Sequence, residues 1–160
     1  MSTVDAALPV APPLAGPPPR VLLVRAPYYR DVVDGLTRGA ERILREAGAE
    51  QATLDVAGAF ELPQAIRLAV RGTPRFDAFV ALGCVVRGET DHYDHICRET
   101  MAGMMAVALQ FGLALGTGLL TVDSIEQALA RSGQDGHNKG AEAAVAALMQ
   151  VAAARRFAAS

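Results

Sequence analysis

Tryptophan is absent from this 160-residue sequence, and aromatic residues together make up only 5% of it. A surface that stacks nucleic-acid bases needs such rings, so that role is disfavoured. A surplus of positive charge is missing too: 15 Lys and Arg stand against 17 Asp and Glu, for a formal net charge of -2. No nucleic-acid partner is therefore expected, since neutralising phosphate backbones needs a basic excess. Cysteine is scarce. Cys84 and Cys97 cannot build a disulfide framework, and they fit the reducing cytoplasm. What remains is an apolar, lightly charged chain, 51% against 20%, long enough for one domain with a full core.

Two segments need separate treatment. Met1 to Pro19 contains six of the nine prolines and no Lys or Arg. A secretory signal needs a basic start and an unbroken apolar run, and this segment has neither. Residues 1–19 read as a mobile, proline-rich extension and residues 20–158 as the folded domain. Thr100 to Val122 is 23 residues without a charge. Gly112, Gly116 and Gly118 interrupt it, so it reads as a buried helix followed by a buried strand, and no membrane association is expected.

From Arg20 onward the pattern alternates. Val21–Val24 is a strand covered on both faces. Val32, Val33, Leu36, Ala40, Ile43, Leu44 and Ala47 recur at helical steps, and Gly48 ends that helix. A second strand spans Gln51 to Val56, and a helix with Pro63 in its first turn spans Leu62 to Val70. A third strand runs from Phe76 to Leu82. A long helix from His92 to about Phe111 has Thr90 or Asp91 as its cap. A fourth strand covers Leu113 to Thr121. Asp123 or Ser124 opens a short helix to Arg131, and the last helix runs from Asn138 to Phe157. The order β-α-β-α-β-α-β-α-α predicts an α/β fold: a doubly wound three-layer sandwich on a parallel sheet of about four strands.

In such sheets ligands bind beyond the carboxyl ends of the strands. The richest of these segments runs from Gly83 to His92. A strand enters a glycine turn and then a helix start, where unpaired N–H groups and the helix dipole suit a phosphate. Gly88 allows close approach and Thr90 offers a hydroxyl. An ordinary capped turn would look the same. No Gly-Lys-Thr/Ser follows, which argues against a nucleoside triphosphatase. His92 sits beside this turn, and an imidazole can both accept and donate a proton near neutrality. His92 and His95 share one side of the helix but Cys97 lies on another, so no metal site is expected. Phe60 and Glu61 follow the second strand, and a carboxylate there suits the hydroxyls of a polyol. Tyr28 offers a flat face after the first strand. Arg131 and Lys139 flank the glycine-rich link 132–138, as phosphate partners or as solvated helix ends.

Taken together these segments resemble the lumazine synthase family. Gly58-Ala59-Phe60-Glu61-Leu62-Pro63 is similar to its GAFE(I/L)P turn. Leu82 to Tyr93 is similar to its signature LG-x-V-(I/V)-(R/K)-G-(E/D)-T-x-H-(F/Y). Leu120-Thr121, Ile125 to Ala128, Arg131 and Asn138-Lys139-Gly140 follow in order. The resemblance implies a flavodoxin-like fold and a transferase of riboflavin biosynthesis, making 6,7-dimethyl-8-ribityllumazine without metal or redox cofactor. It implies His92 as proton shuttle. Gly88, Glu89 and Thr90, with Arg131, would hold a butanone phosphate. Ala59, Phe60 and Glu61 would contact a ribityl chain, Val85 and Val86 a uracil ring, and Lys139 a uracil oxygen. Tyr28 would stack on the ring, although Ala26-Pro27-Tyr28-Tyr29 departs from the family's usual residues there. Thr117 stands where an aromatic is common, which leaves that edge of the pocket more open.

The resemblance further implies sites shared between subunits of a homopentamer, with five-membered rings sometimes closed into icosahedral shells. The family's N-terminus sometimes adds a strand to a neighbouring sheet, so Ala6 to Val10 is a candidate edge strand. Two other function classes compete. One is a cage that binds flavin or lumazine without turnover. The other is a flavodoxin-like electron carrier, disfavoured because Ala26 to Arg30 is no Ser/Thr-rich phosphate loop.

Overall fold

The apolar run after Arg20 becomes the centre of the protein. A computed structural model of the chain describes residues 8–134 and 137–159. Strand β1 (Arg20–Ala26) pairs in parallel with β2 (Glu50–Asp55) on one side and β3 (Ala78–Val86) on the other. Strand β4 (Ala114–Val122) completes the sheet beside β3, giving the order β2-β1-β3-β4. Helices α1 (Arg30–Glu46), α4 (Ile125–Ser132) and α5 (Lys139–Ala158) cover one face. Helices α2 (Leu62–Arg71) and α3 (His92–Phe111) cover the other. This is the expected three-layer, doubly wound sandwich.

Alternation within the strands supplies both cores. Val21 and Leu23 face α1 and α5, together with Val80 and Leu82. Leu22 and Val24 face α2 and α3, together with Phe79 and Ala81. The inner strands are buried on both faces. By contrast β2 is an edge strand and largely exposed, tied to β1 by charge. Arg25 forks onto Asp55 at 2.7 and 3.0 Å, and Arg20 reaches Glu50 at 2.8 Å.

Element boundaries depart from expectation in places that have physical causes. The third strand starts at Ala78, not Phe76, and continues through Val86. Gly83 looked like a turn but lies inside the strand, where a Cβ would come within 2.9 Å of Leu119 Cδ1. Its missing side chain makes room in the sandwich and marks no loop. Gly48, at φ +68°, closes α1 in the left-handed conformation as expected. Gly112, at φ +61°, does the same for α3. The N-terminal caps are less regular. Ser124 Oγ accepts from Gln127 N at 3.4 Å, as one of the two expected caps of α4. Asp91 makes no side-chain cap on α3, and Thr90 Oγ1 lies a long 3.5 Å from His92 N.

The proline-rich segment, expected to be mobile, lies against the body where it is described. Ala11 and Leu14 pack on the α1–α5 side of the core. Arg155 donates to Ala15 O at 2.6 Å. Ala11 and Leu14 thus find a surface of their own chain, while Val10 stays exposed. Of the expected edge strand, Ala6 and Ala7 lie outside the described residues, and Leu8 to Val10 are not in a strand.

Candidate active site

The strand order changes direction between β1 and β3, and a cleft opens there at the carboxyl edge. It measures about 570 Å³. Each wall comes from the segment after a strand. Tyr28 and Tyr29 follow β1. A short 3-10 turn, Ala59–Glu61, precedes α2. Cys84, Val85 and Val86 end β3, and His92 and Ile96 lie on the first turns of α3. Glu61 curls back over Gly58, where a Cβ would sit 3.2 Å from its Oε2. Phe60 is 57% and Tyr28 75% exposed, so two rings present largely open faces at the cleft mouth.

Between β3 and α3 the turn 87–91 is exposed. The N–H groups of Gly88, Glu89 and Thr90 find no acceptor among the described residues. A Cβ on Gly88 would meet nothing within 4 Å, and its φ is not positive. Neither packing nor backbone conformation within the chain explains a glycine there.

The remaining expected residues lie elsewhere. Thr117, Arg131 and Lys139 line a second cleft of about 250 Å³ with Gly118 to Val122. It opens at β4, the free edge of the sheet, and shares no lining residue with the first cleft. Arg131 donates to Gln127 O at 2.9 Å, and Lys139 pairs with Glu142 at 2.6 Å. The link between them was expected as one glycine-rich stretch; its Asp135 and Gly136 lie outside the described residues. Lys139 is the sole lysine of the sequence, the other fourteen cationic side chains being arginine.

Several cleft residues escaped the sequence reading. Ile96 stands four residues beyond His92 on the same helical face, so periodicity could have found it. Tyr29 packs edge-on against Tyr28, with ring centroids 5.1 Å apart; nothing in the sequence distinguishes the two. Cys84 is core, 5% exposed, yet it also lines the cleft. Among the described residues no group of three His, Cys, Asp or Glu gathers for a metal, and no helix is long and apolar enough to cross a membrane.

Burial pushes the Cys84 thiol up from 9.0 to about 11. A thiol raised in this way stabilises the fold fully below its unfolded value. That contribution is lost as pH rises through the folded value. Stability is therefore expected to fall between pH 9.0 and about 11, and Cys84→Ala to flatten the slope. Urea midpoints across that range check it; an unchanged slope in the variant overturns it.

Comparison with known proteins shows the family. The model of the 6,7-dimethyl-8-ribityllumazine synthase family matches residues 18–155. The chain is 42% identical over 139 residues to the 6,7-dimethyl-8-ribityllumazine synthase of Bartonella tribocorum, covering 87% of this chain and 92% of that one. It is 46% identical over 137 residues to the synthase of Sphingopyxis alaskensis, covering 86% and 96%. Against the synthase of Methylorubrum populi it is 45% identical over 141 residues, covering 85% and 83%.

Proposed function

Because the chain belongs to the 6,7-dimethyl-8-ribityllumazine synthase family, we propose that it joins 5-amino-6-(D-ribitylamino)uracil to 3,4-dihydroxy-2-butanone 4-phosphate. The aromatic amine attacks the ketone and an imine forms with loss of water. Phosphate is then eliminated, and ring closure expels a second water to give the lumazine. The enzyme is a transferase of riboflavin biosynthesis, working in the cytoplasm, where both thiols stay reduced. Residues 20–158 carry the activity and residues 1–19 are an extension.

One observation carries this reading. A cleft at the switch point brings together two exposed rings, Glu61, Val85, Val86 and His92, beside a turn with three unused N–H groups. Tyr28 stacks on the uracil ring, and Val85 and Val86 contact it. Ala59, Phe60 and Glu61 take the ribityl chain, its hydroxyls on the Glu61 carboxylate. Gly88, Glu89 and Thr90 donate to the phosphate at the positive end of α3. His92 moves protons between the two.

Arg131, Lys139 and Thr117 belong to the same site but to the neighbouring subunit. Their separation from the first cleft within one chain supports that assignment. So does an apolar groove of about 400 Å³ beside the free edge, lined by Met101, Met104, Met105, Leu109, Leu113 and Leu115. Met101, Met105 and Leu109 are 44%, 61% and 76% exposed and lie together, a contiguous apolar patch and not one scattered side chain. The assembly is a homopentamer, and native mass distinguishes the ring from a closed icosahedral shell.

Subunit mixing tests the shared site. His92→Ala and Arg131→Ala homo-oligomers are each expected to be strongly impaired. In Arg131→Ala the loss falls mainly on the phosphorylated substrate, because a guanidinium fork matches phosphate and offers little to a neutral ring. After co-refolding at equal amounts, about one site in four pairs an intact His92 with an intact neighbouring Arg131. Activity should recover to that share. Absence of recovery in mixed particles places both residues on one subunit. Tight flavin binding without product would mean a binding cage instead.

A further inference from the structure

We infer that Arg87 is a positioning residue: it holds the 88–91 turn and the His92 end of α3 in register with the end of β4. The inference rests on the reaction and the His92 role proposed above. Arg87 is the first residue past β3. Its backbone N–H donates to Val122 O at 2.9 Å, adding one rung to the β3–β4 ladder. Its Nε donates to Asp123 Oδ1 at 3.1 Å. Its two terminal nitrogens fork onto the Asp94 carboxylate, both at 3.2 Å. The guanidinium carbon stands 4.1 Å from the centre of the Tyr93 ring. Tyr93 and Asp94 directly follow His92 in the first turn of α3. Asp123 in turn donates its N–H to Gln127 Oε1 at 3.0 Å, so the connection reaches α4.

Side-chain capping of this turn is slight, and besides Arg87 the Tyr93 hydroxyl ties α3 to Thr121 of β4. Asp91 gives α3 no side-chain cap, and the Thr90 contact is long. Arg87 lines neither cleft, so it acts through Tyr93 and Asp94 and not on the reacting atoms. Its side chain is 45% exposed and its partners 50% and 71%, so each ion pair alone holds little. What restrains the turn is geometry. A planar fork, a ring face and a backbone rung converge on one side chain, and their preferred orientations agree.

The test uses the intact assembly of wild type, Arg87→Met, Arg87→Lys, Asp94→Asn and the Arg87→Met/Asp94→Asn double variant. Arg87→Met and Asp94→Asn should each lower kcat about tenfold through misplacement of His92. KM for the butanone phosphate should rise, while KM for the ribityl pyrimidine stays within about twofold. The double variant should be no worse than Arg87→Met, because both remove one interaction. Arg87→Lys should recover only part, since an ammonium cannot fork. A direct charge effect of Arg87 on the phosphate gives the opposite sign for Asp94→Asn: loss of a nearby carboxylate would lower KM. That result overturns the inference. Amide hydrogen exchange gives a readout independent of the assay. The first protected amides of α3, from His95 N on Asp91 O onward through residue 98, should exchange faster in Arg87→Met while residues 78–86 do not, and unchanged exchange overturns the clamp. A wild type that makes no product refutes the proposed reaction, while the exchange experiment still judges the clamp.

Discussion

His92→Ala is expected to slow lumazine formation by about a hundredfold or more, the usual contribution of a positioned proton shuttle. His92 is exposed in the first turn of α3 and lines the cleft with Glu61, Val85 and Val86. The turn just before it carries the unused N–H groups of residues 88–90. Its imidazole therefore stands between the proposed phosphate and the proposed ring, where protons must be taken up and returned. Some rate should survive, because holding an amine and a ketone together is itself catalytic. The fold should be untouched, since the side chain supports no buried contact. Steady-state kinetics with native mass alongside check this. An unchanged rate in an intact assembly removes His92 from the chemistry.

Asn138→Ala is expected to destabilise the protein by about 2–4 kcal/mol, about 1 from the lost cap and about 1–3 from buried carbonyls that lose their donor. Asn138 is 3% exposed. Its Oδ1 caps α5, accepting from Gly140 N at 2.8 Å and Ala141 N at 3.1 Å. Its Nδ2 donates to the carbonyls of Gly35 and Ser132, both at 2.9 Å, and of Gly133 at 3.0 Å. Loss of the cap costs about 1 kcal/mol. The rest comes from carbonyls that lose a donor, softened because Gln134 Nε2 also reaches Gly35 O at 3.2 Å and Ser132 O at 3.4 Å. Asn138→Asp separates the two contributions. It keeps the cap acceptor, loses the donor, and sets a carboxylate against three carbonyls, so it should be no better than alanine. Urea midpoints at fixed protein concentration read both. A loss under about 1 kcal/mol would mean the cap alone matters.

Arg131 and Lys139 sit on either side of this network, so it also places the outer cleft. The network explains two glycines that look wrong in a helix. Gly35 and Gly39 lie inside α1, where glycine is unfavourable. A Cβ on Gly39 would collide with the Asn138 amide, and one on Gly35 with Ser132 O. Neither requirement is local to α1. The partner lies roughly a hundred residues away in the chain, so no helical period betrays it.

Local pattern made much of the protein legible in advance. The apolar steps from Val32 to Ala47 and the uncharged stretch ended by Gly112 encode helices in themselves. Glycine at +68° and +61° encodes where α1 and α3 end. The segments after the strands could be named because parallel topology requires ligands there. Gly83 misled because a glycine that admits a neighbour's Leu119 looks identical, in sequence, to one that makes a turn.

By itself the sequence determined the order of elements, the layered fold and the family. All three rest on short-range periods and on motifs a few residues long. Only the tertiary structure decided which side chains meet. It set Tyr28, Phe60, Val85 and His92 around one cleft and put Arg131 and Lys139 in another. It turned Arg87 onto Asp94 and Asp123, and buried Asn138 under α1. These meetings depend on how strands far apart in the chain are ordered in the sheet. That order is settled by burying both faces of β1 and β3 at once, a condition that no single segment carries.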